Sequence, residues 1–134
     1  MAAMYQSPLF IEECKKRLSS LSDRGFGPAL ESMKDDWALL VWRLDDIRIA
    51  IEYHPYAYTI NTYIDYRGKH LNVRRLYEQA GIEARERYQF WGAGLAAGIE
   101  SSTAAIMSFV DHYDTPDHSG LKNVLQREYD EEMT

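Results

Sequence analysis

Apolar residues recur at helical spacing near the start of the chain. Four of them follow one another at intervals of four, four and three residues, which places them on one helical face. These four residues are Phe10, Cys14, Leu18 and Leu21. Ser7 and Pro8 precede them and form a common helix start, with serine as the N-cap and proline at the first helical position. We therefore predict an amphipathic helix that begins at Ser7 and is ended by Gly25 and Gly27.

From Trp37 the pattern becomes typical of β-strands. The segment "WALLVWRLDDIRIAIEY" is rich in large aliphatic and aromatic residues and is interrupted at Asp45 and Asp46. A two-residue turn there fixes the register of a hairpin, and Asp tolerates positive φ better than most residues. One face then carries the pairs Leu44–Ile47, Trp42–Ile49 and Leu40–Ile51, with Tyr53 extending the row. The other face carries Arg43–Arg48, Val41–Ala50, Leu39–Glu52 and Trp37–His54. We expect the first face to be the core face and the second, half apolar, to be covered by helices or to form a contact surface.

The rest of the chain extends this sheet and then turns helical. "YTINTYIDY" predicts a further strand closed by "RGKH" at 67–70, and residues 28–35 predict an edge strand. Asn72 is placed to cap a helix that Gly81 ends, residues 82–113 look helical, and Pro116 breaks the pattern. Ser119 is placed to cap a last helix with apolar Leu121, Val124 and Leu125, and "EYDEEMT" looks like a frayed, solvated tail. The predicted fold class is α+β. It comprises an N-terminal helix, an antiparallel meander of three to four strands and two to three C-terminal helices, in a single domain over 1–134.

The charge balance narrows the choice of partner. The chain has 46% apolar and 27% charged residues and a net charge of −6, which is typical of a globular domain with an acidic surface. Such a surface repels nucleic-acid backbones and suits a basic protein, although it also simply favours solubility. We expect no nucleic-acid binding and no membrane span, and the single cysteine, Cys14, fits a buried thiol in the cytoplasm.

Two segments suggest chemistry that the sequence does not otherwise support. "FWGAGLAAG", Phe90 to Gly98, resembles a dinucleotide-binding glycine motif, but the charged "EARERYQF" before it cannot be the buried parallel strand that such a site needs. "DHYDTPDHS" places Asp111, His112, Asp114, Asp117 and His118 within eight residues. Its spacing matches no familiar zinc or calcium motif, and a polar loop explains it. We therefore predict no cofactor, no metal and no enzymatic activity. A small-ligand or metal-binding protein that uses the Asp111–His118 loop stays the alternative.

Aromatic residues concentrate in the predicted sheet. Tyrosine and tryptophan combine apolar area with a polar group, a mixture enriched at protein interfaces. Acids at the strand ends would steer a basic partner towards such rings. The predicted partner-binding residues are Trp37, Asp45, Asp46, Tyr56, Tyr58, Tyr63 and Asp65.

The arrangement resembles the small acidic immunity proteins that neutralise bacterial polymorphic or contact-dependent toxins. The start "SPLFIEECKKRLSSL", the turn "RGFG", the hairpin and the helical second half carry this resemblance. It implies a protein that binds a toxin, occludes its active surface and needs no cofactor. A second resemblance is to the dimeric chaperones of type III secretion, with which a homodimer would be compatible. This chain departs from them where their second set of strands should stand.

Overall fold

The computed structural model describes residues 2–34, 36–57, 59–82, 87–89 and 94–133. The helices are α1 (Ala2–Arg17), α2 (Val73–Gln79), α3 (Leu95–Tyr113) and α4 (Ser119–Met133), and short 3₁₀ helices lie at Ser19–Arg24 and Pro55–Ala57. The strands are β1 (Leu30–Lys34), β2 (Trp37–Leu44), β3 (Ile47–His54), β4 (Thr59–Tyr66), β5 (Lys69–His70) and β6 (Arg87–Gln89). None of the helices in these ranges is long and apolar enough to cross a membrane.

The strands form one antiparallel sheet in which β1 to β5 lie in chain order, and β6 also pairs with β4. This confirms the predicted α+β class with an N-terminal helix, a meander and C-terminal helices. The meander has five strands in the described ranges rather than three or four. The predicted edge strand is present as β1, all five residues of which are exposed.

The hairpin register agrees with the prediction. β2 and β3 pair from Leu44–Ile47 at the turn to Ala38–Tyr53 at the far end. Asp45 adopts a φ of 51°, a conformation that aspartate tolerates at low cost. The turn therefore determines which face of the sheet each side chain of the hairpin occupies. The pairing of β3 with β4 places the side chains of β4 on the same two faces.

One face of the sheet, which we call the inner face, packs against the helices. Its isoleucines and aromatic residues belong to a buried cluster that also contains residues of α1, α2, α3 and α4. The Phe10 ring of α1 stacks on Tyr53 with centroids 5.1 Å apart. The Tyr66 hydroxyl donates a 3.0 Å hydrogen bond to the Gln126 side chain of α4. Burial of apolar side chains on this face is the main source of stability.

The predicted start of α1 is wrong. The helix begins at Ala2, with Pro8 inside it, and Ser7 is buried rather than acting as the N-cap. The turn before Pro8 is attached to the sheet, because the Tyr53 hydroxyl donates a 3.1 Å hydrogen bond to the Gln6 side chain. A proline inside a helix removes one backbone hydrogen bond, and this tertiary contact compensates for part of that loss. The α-helix also ends earlier than predicted, at Arg17, and Gly25 instead closes the 3₁₀ helix that follows, with a φ of 89°.

The prediction that residues 82–113 are helical is wrong in part. Residues 87–89 form the short strand β6 against β4, and α3 begins only at Leu95. Residues 83–86 and 90–93 lie outside the described ranges. A three-residue strand is too short to show a period, so its pairing with β4 decides its conformation. The caps of α2 agree with the prediction, with the Asn72 side chain accepting from the Arg75 backbone NH and Gly81 at a φ of 74°.

The last helix differs from the prediction at both ends. Ser119 is its first helical residue rather than its cap, and the helix continues to Met133 instead of fraying. Its acidic end is bound to neighbouring elements, with Lys69 3.6 Å from Glu132 and Arg75 3.6 Å from Glu128. Leu121, Val124 and Leu125 are buried as predicted. Long-range ion pairs of this kind leave no local signal in the sequence.

Candidate functional site

The opposite face of the sheet, which we call the outer face, is the candidate site. It carries the alternate residues of the three long strands, and most of them stay partly exposed. In β2 these residues are Trp37, Leu39, Val41 and Arg43; in β3 they are Arg48, Ala50, Glu52 and His54; in β4 they are Thr59, Asn61, Tyr63 and Asp65. The pleat of the sheet puts them on one side because side chains alternate along a strand.

The middle of the outer face is apolar. Leu30 of β1, Val41, Ala50 and Tyr63 lie directly opposite one another across four strands. Val41 and Ala50 are buried beneath their neighbours, whereas Leu30 is 57% exposed and Tyr63 is half-buried. Trp37 adds a second ring at the end of β2, where the Lys34 ammonium lies 5.4 Å from its centroid. The row offers an apolar surface with an aromatic hydroxyl, as interface centres do.

Glu52 organises the polar groups beside that row. One of its carboxylate oxygens lies 2.5 Å from Nε2 of His54 and accepts from the Asn61 amide at 3.4 Å and the Tyr63 hydroxyl at 3.3 Å. The carboxylate is half-buried, and several donors share its charge. These contacts restrict the Tyr63 ring in the free protein. Less side-chain entropy would therefore be lost when a partner binds against it.

A charged row crosses the outer face near the Asp45–Asp46 turn. Arg43, Arg48, Asp65 and His70 lie directly opposite one another on β2, β3, β4 and β5. The Arg48 guanidinium donates a 2.7 Å hydrogen bond to Asp65, and Nδ1 of His70 contacts the other oxygen of the same carboxylate. Asp65 is buried, and both of its oxygens are occupied by these neighbours. It is therefore a structural centre of the row rather than an acid offered to solvent.

The structure separates the predicted partner-binding residues. Trp37, Tyr63 and Asp65 lie on the outer face, with Trp37 at one end of the strands and Asp65 near the other. Asp45 and Asp46 form the turn at the Asp65 end, and Lys122 of α4 binds the Asp45 carboxylate. Tyr56 is exposed in the 3₁₀ helix at the opposite end of β3, about 25 Å away for a strand of this length. Tyr58 lies outside the described residues. Tyr63 and Asp65 are therefore neighbours on β4, whereas Trp37 and Tyr56 lie away from the acids.

The sequence prediction missed the polar residues of this face as site members. Glu52, Asn61, Arg48 and His70 link the strands laterally, and none was singled out as partner-binding. The usable signal was the register itself, because it already placed Glu52 and Arg48 on the same face as Trp37. What the register could not show is which of those charges bind one another.

The Asp111–His118 loop uses its charged groups structurally. Arg24 binds Asp111 and lies 3.4 Å from Asp114, and His118 lies 3.3 Å from Asp114. Hydrogen bonds from Thr115 and Ser119 lower the pKa of Asp117 to about 2. Within the described ranges, no three histidine, cysteine or acidic side chains are grouped so that they could hold a metal ion.

The described glycines of the segment 90–98, Gly94 and Gly98, lie at the start of α3, where the sequence predicts a packing role rather than a nucleotide site. Gly94 precedes α3 with a φ of 86°, and Gly98 is buried inside α3. The strand before it, β6, is antiparallel to β4. A dinucleotide site needs a parallel βαβ unit, so the geometry agrees with glycines that serve backbone conformation and packing. Gly92 lies outside the described residues.

Comparison of this chain with protein-family models, with curated proteins and with solved structures finds no match to any of them.

Proposed function

We propose that this chain is a protein-binding module that occludes its partner, and specifically an immunity protein that neutralises a bacterial toxin in the cytoplasm. The observation that carries the proposal is the outer face. It keeps Trp37, Leu39 and Tyr63 partly exposed on a rigid sheet whose other face is filled by helices. A flat, mixed apolar and polar surface of this kind suits a protein partner better than a small substrate.

The charge of the molecule supports a basic partner. The net charge is −6, but the outer face itself is close to neutral, because Asp65 is bound by Arg48 and His70. Attraction would therefore come from the field of the whole surface, while the rings and Leu39 would provide the affinity after contact.

Gene order and co-expression test the immunity function. The proposal expects a toxin-sized reading frame directly upstream of the gene. The product of that frame should be toxic alone, harmless when expressed with this chain, and recovered with it as an equimolar complex in size-exclusion chromatography. An upstream product whose toxicity this chain leaves unchanged would contradict the immunity function, and a secreted effector in its place would favour the chaperone alternative.

Variants of the outer face test the surface. Leu39→Asp and Tyr63→Ala should each weaken the complex by about 2 kcal/mol, or about thirtyfold in Kd, because central aromatic and apolar contacts dominate interfaces. Ser108→Asp makes a matched control, since it adds the same charge at an exposed position of α3. Equal loss of affinity in the control, or unchanged affinity in both outer-face variants, would exclude this face as the binding surface.

A further inference from the structure

A polar cavity of about 390 Å³ lies at the turn end of the sheet. Its charged lining comprises three arginines, Arg43, Arg48 and Arg67, and three aspartates, Asp45, Asp46 and Asp65, and Gly68 also borders it. Two backbone turns frame it, the Asp45–Asp46 turn of the β2–β3 hairpin and the Arg67–Gly68 turn between β4 and β5. The Arg67 backbone NH donates a 3.0 Å hydrogen bond to the Asp46 carbonyl, which holds the two turns side by side.

Two of the arginines face each other without a carboxylate between them. Arg43 and Arg48 are direct cross-strand partners on the outer face. Side chains at such positions have Cβ atoms about 5 Å apart, and like charges there destabilise the pairing. The register is fixed by the turn and by the buried inner face, so this repulsion cannot be relieved by a strand shift. An anion bound between the two guanidinium groups would remove it.

Two of the three lining carboxylates are already bound by side chains. Asp65 is shared between Arg48 and His70, and Asp45 is bound by Lys122. In the described part of the chain, no carboxylate lies within 4 Å of the Arg43 or Arg67 guanidinium. Arg67 instead lies over the Tyr129 ring, 5.0 Å from its centroid. The lining itself carries three arginines and three aspartates, and Lys122, which binds Asp45 without lining the cavity, brings the local count to four cations and three aspartates.

We propose that this cavity binds an oxyanion of the phosphate class. A guanidinium donates two parallel hydrogen bonds to one pair of oxygens, so two guanidiniums use up to four oxygens. A tetrahedral phosphate supplies that number, whereas a carboxylate supplies two. The local cluster acts despite the net charge of −6, because charges farther away than about 10 Å are largely screened at physiological salt. The proposal does not depend on the protein-binding function.

An NMR titration of the whole chain with inorganic phosphate tests the site. The Nε–Hε signals of Arg43 and Arg48 and the backbone signals of Gly68 should shift and saturate, while chloride at matched ionic strength should not reproduce the shifts. Arg43→Gln should weaken binding about tenfold, as expected for loss of a charged hydrogen-bonding group. A parallel titration with glycerol 3-phosphate shows whether the natural ligand is a phosphate monoester or free phosphate. Tighter binding than inorganic phosphate indicates a monoester, and equal or weaker binding indicates the free ion.

Two further variants test whether phosphate affinity changes with the charge of the cavity in the expected direction. Asp46→Asn removes a negative charge from the cavity wall and should tighten phosphate binding severalfold. Arg74→Gln is the matched control, because Arg74 is an exposed arginine of α2 that pairs with Glu78 away from the cavity. Thermal unfolding confirms that each variant is folded. Shifts that do not saturate, that chloride reproduces, or that Arg43→Gln and Arg74→Gln change equally would overturn the proposal.

Discussion

Glu128 is the most deeply buried acid of α4. Its side chain is 2% exposed, and the Arg75 guanidinium lies 3.6 Å from one oxygen. The other oxygen has no hydrogen-bond partner in the described part of the chain. Burial raises the pKa of Glu128, and Arg75 opposes this effect only in part. The carboxyl therefore holds its proton more tightly in the folded chain than in the unfolded one.

This shift predicts a pH-dependent gain in stability for Glu128→Gln. The cost of ionising Glu128 is absent below the unfolded pKa of about 4.3 and grows as the pH rises through the higher folded pKa. The variant should therefore gain stability over the parent chain as the pH rises from about 4 to about 7. Urea unfolding at both pH values measures the difference. Glu78→Gln, at an exposed position, should show no such trend, and a parallel trend in both variants would refute this explanation.

Cys14 is predicted to be unreactive in the folded protein. The thiol is fully buried on the inner side of α1, and burial raises its pKa to about 12. Because the thiolate is the nucleophile, labelling by a thiol reagent at neutral pH should need unfolding. The labelling rate should rise by more than about a hundredfold on addition of denaturant. Rapid labelling of native protein would show that α1 detaches from the sheet.

The sequence predicts the burial of some side chains but not the partners of the charged ones. The helical spacing around Cys14 was enough to predict its burial, because an apolar stripe has to face the core. Asp65 was expected among acids that attract a partner, yet it is buried between Arg48 and His70. A strand's period tells which face a residue occupies. It does not tell which charges on neighbouring strands will bind it.

The same contrast holds for the helices and strands: local patterns predict them, and contacts between distant segments do not show in the sequence. The hairpin followed from one turn and one alternation, and its register is confirmed along the whole length of β2 and β3 that pairs. The short strands β5 and β6 were missed because two or three residues carry no periodic signal. The acidic end of α4 has the composition of a solvated tail, and the Lys69 and Arg75 side chains that contact it in the fold lie far away in the sequence.

The junction of α3 and α4 depends on Gly120. A Cβ at this position would lie 2.0 Å from the Tyr113 carbonyl oxygen and 2.8 Å from the Thr115 methyl group. Gly→Ala in a helix normally gains about 1 kcal/mol, but here the clash is with backbone that cannot move aside. We expect Gly120→Ala to lower the free energy of unfolding by about 3 kcal/mol, at the upper end for overpacking.

Urea unfolding measures this effect, and Asn123→Ala at an exposed position of the same helix is the control. The control should change stability by less than about 0.5 kcal/mol, as surface substitutions usually do. A stabilised Gly120→Ala variant would mean that α4 can pack farther from the end of α3 than the structure shows.

For the whole molecule, the net charge of −6 predicts how fast a basic partner associates. The association rate constant should fall as salt is added, because screening weakens the attraction. Replacing two exposed acids, as in Glu12→Gln with Glu100→Gln, changes the net charge from −6 to −4. The slope against salt should decrease, and the dissociation rate should change little. Stopped-flow mixing measures both rates, and a salt-independent association rate would count against electrostatic attraction.

The meander has a consequence for how the chain folds. Each of the first five strands pairs with the strand before or after it in sequence, so the sheet can assemble hairpin by hairpin with little loop-closure cost. The helices differ, because α1 and the segment after it meet α3 across the molecule. Ser20 and Met107 are in contact although 87 residues separate them. Packing of the two ends of the chain against each other is thus the step with the greatest entropic cost, and a ribosome-bound chain can complete it only after α3 has emerged.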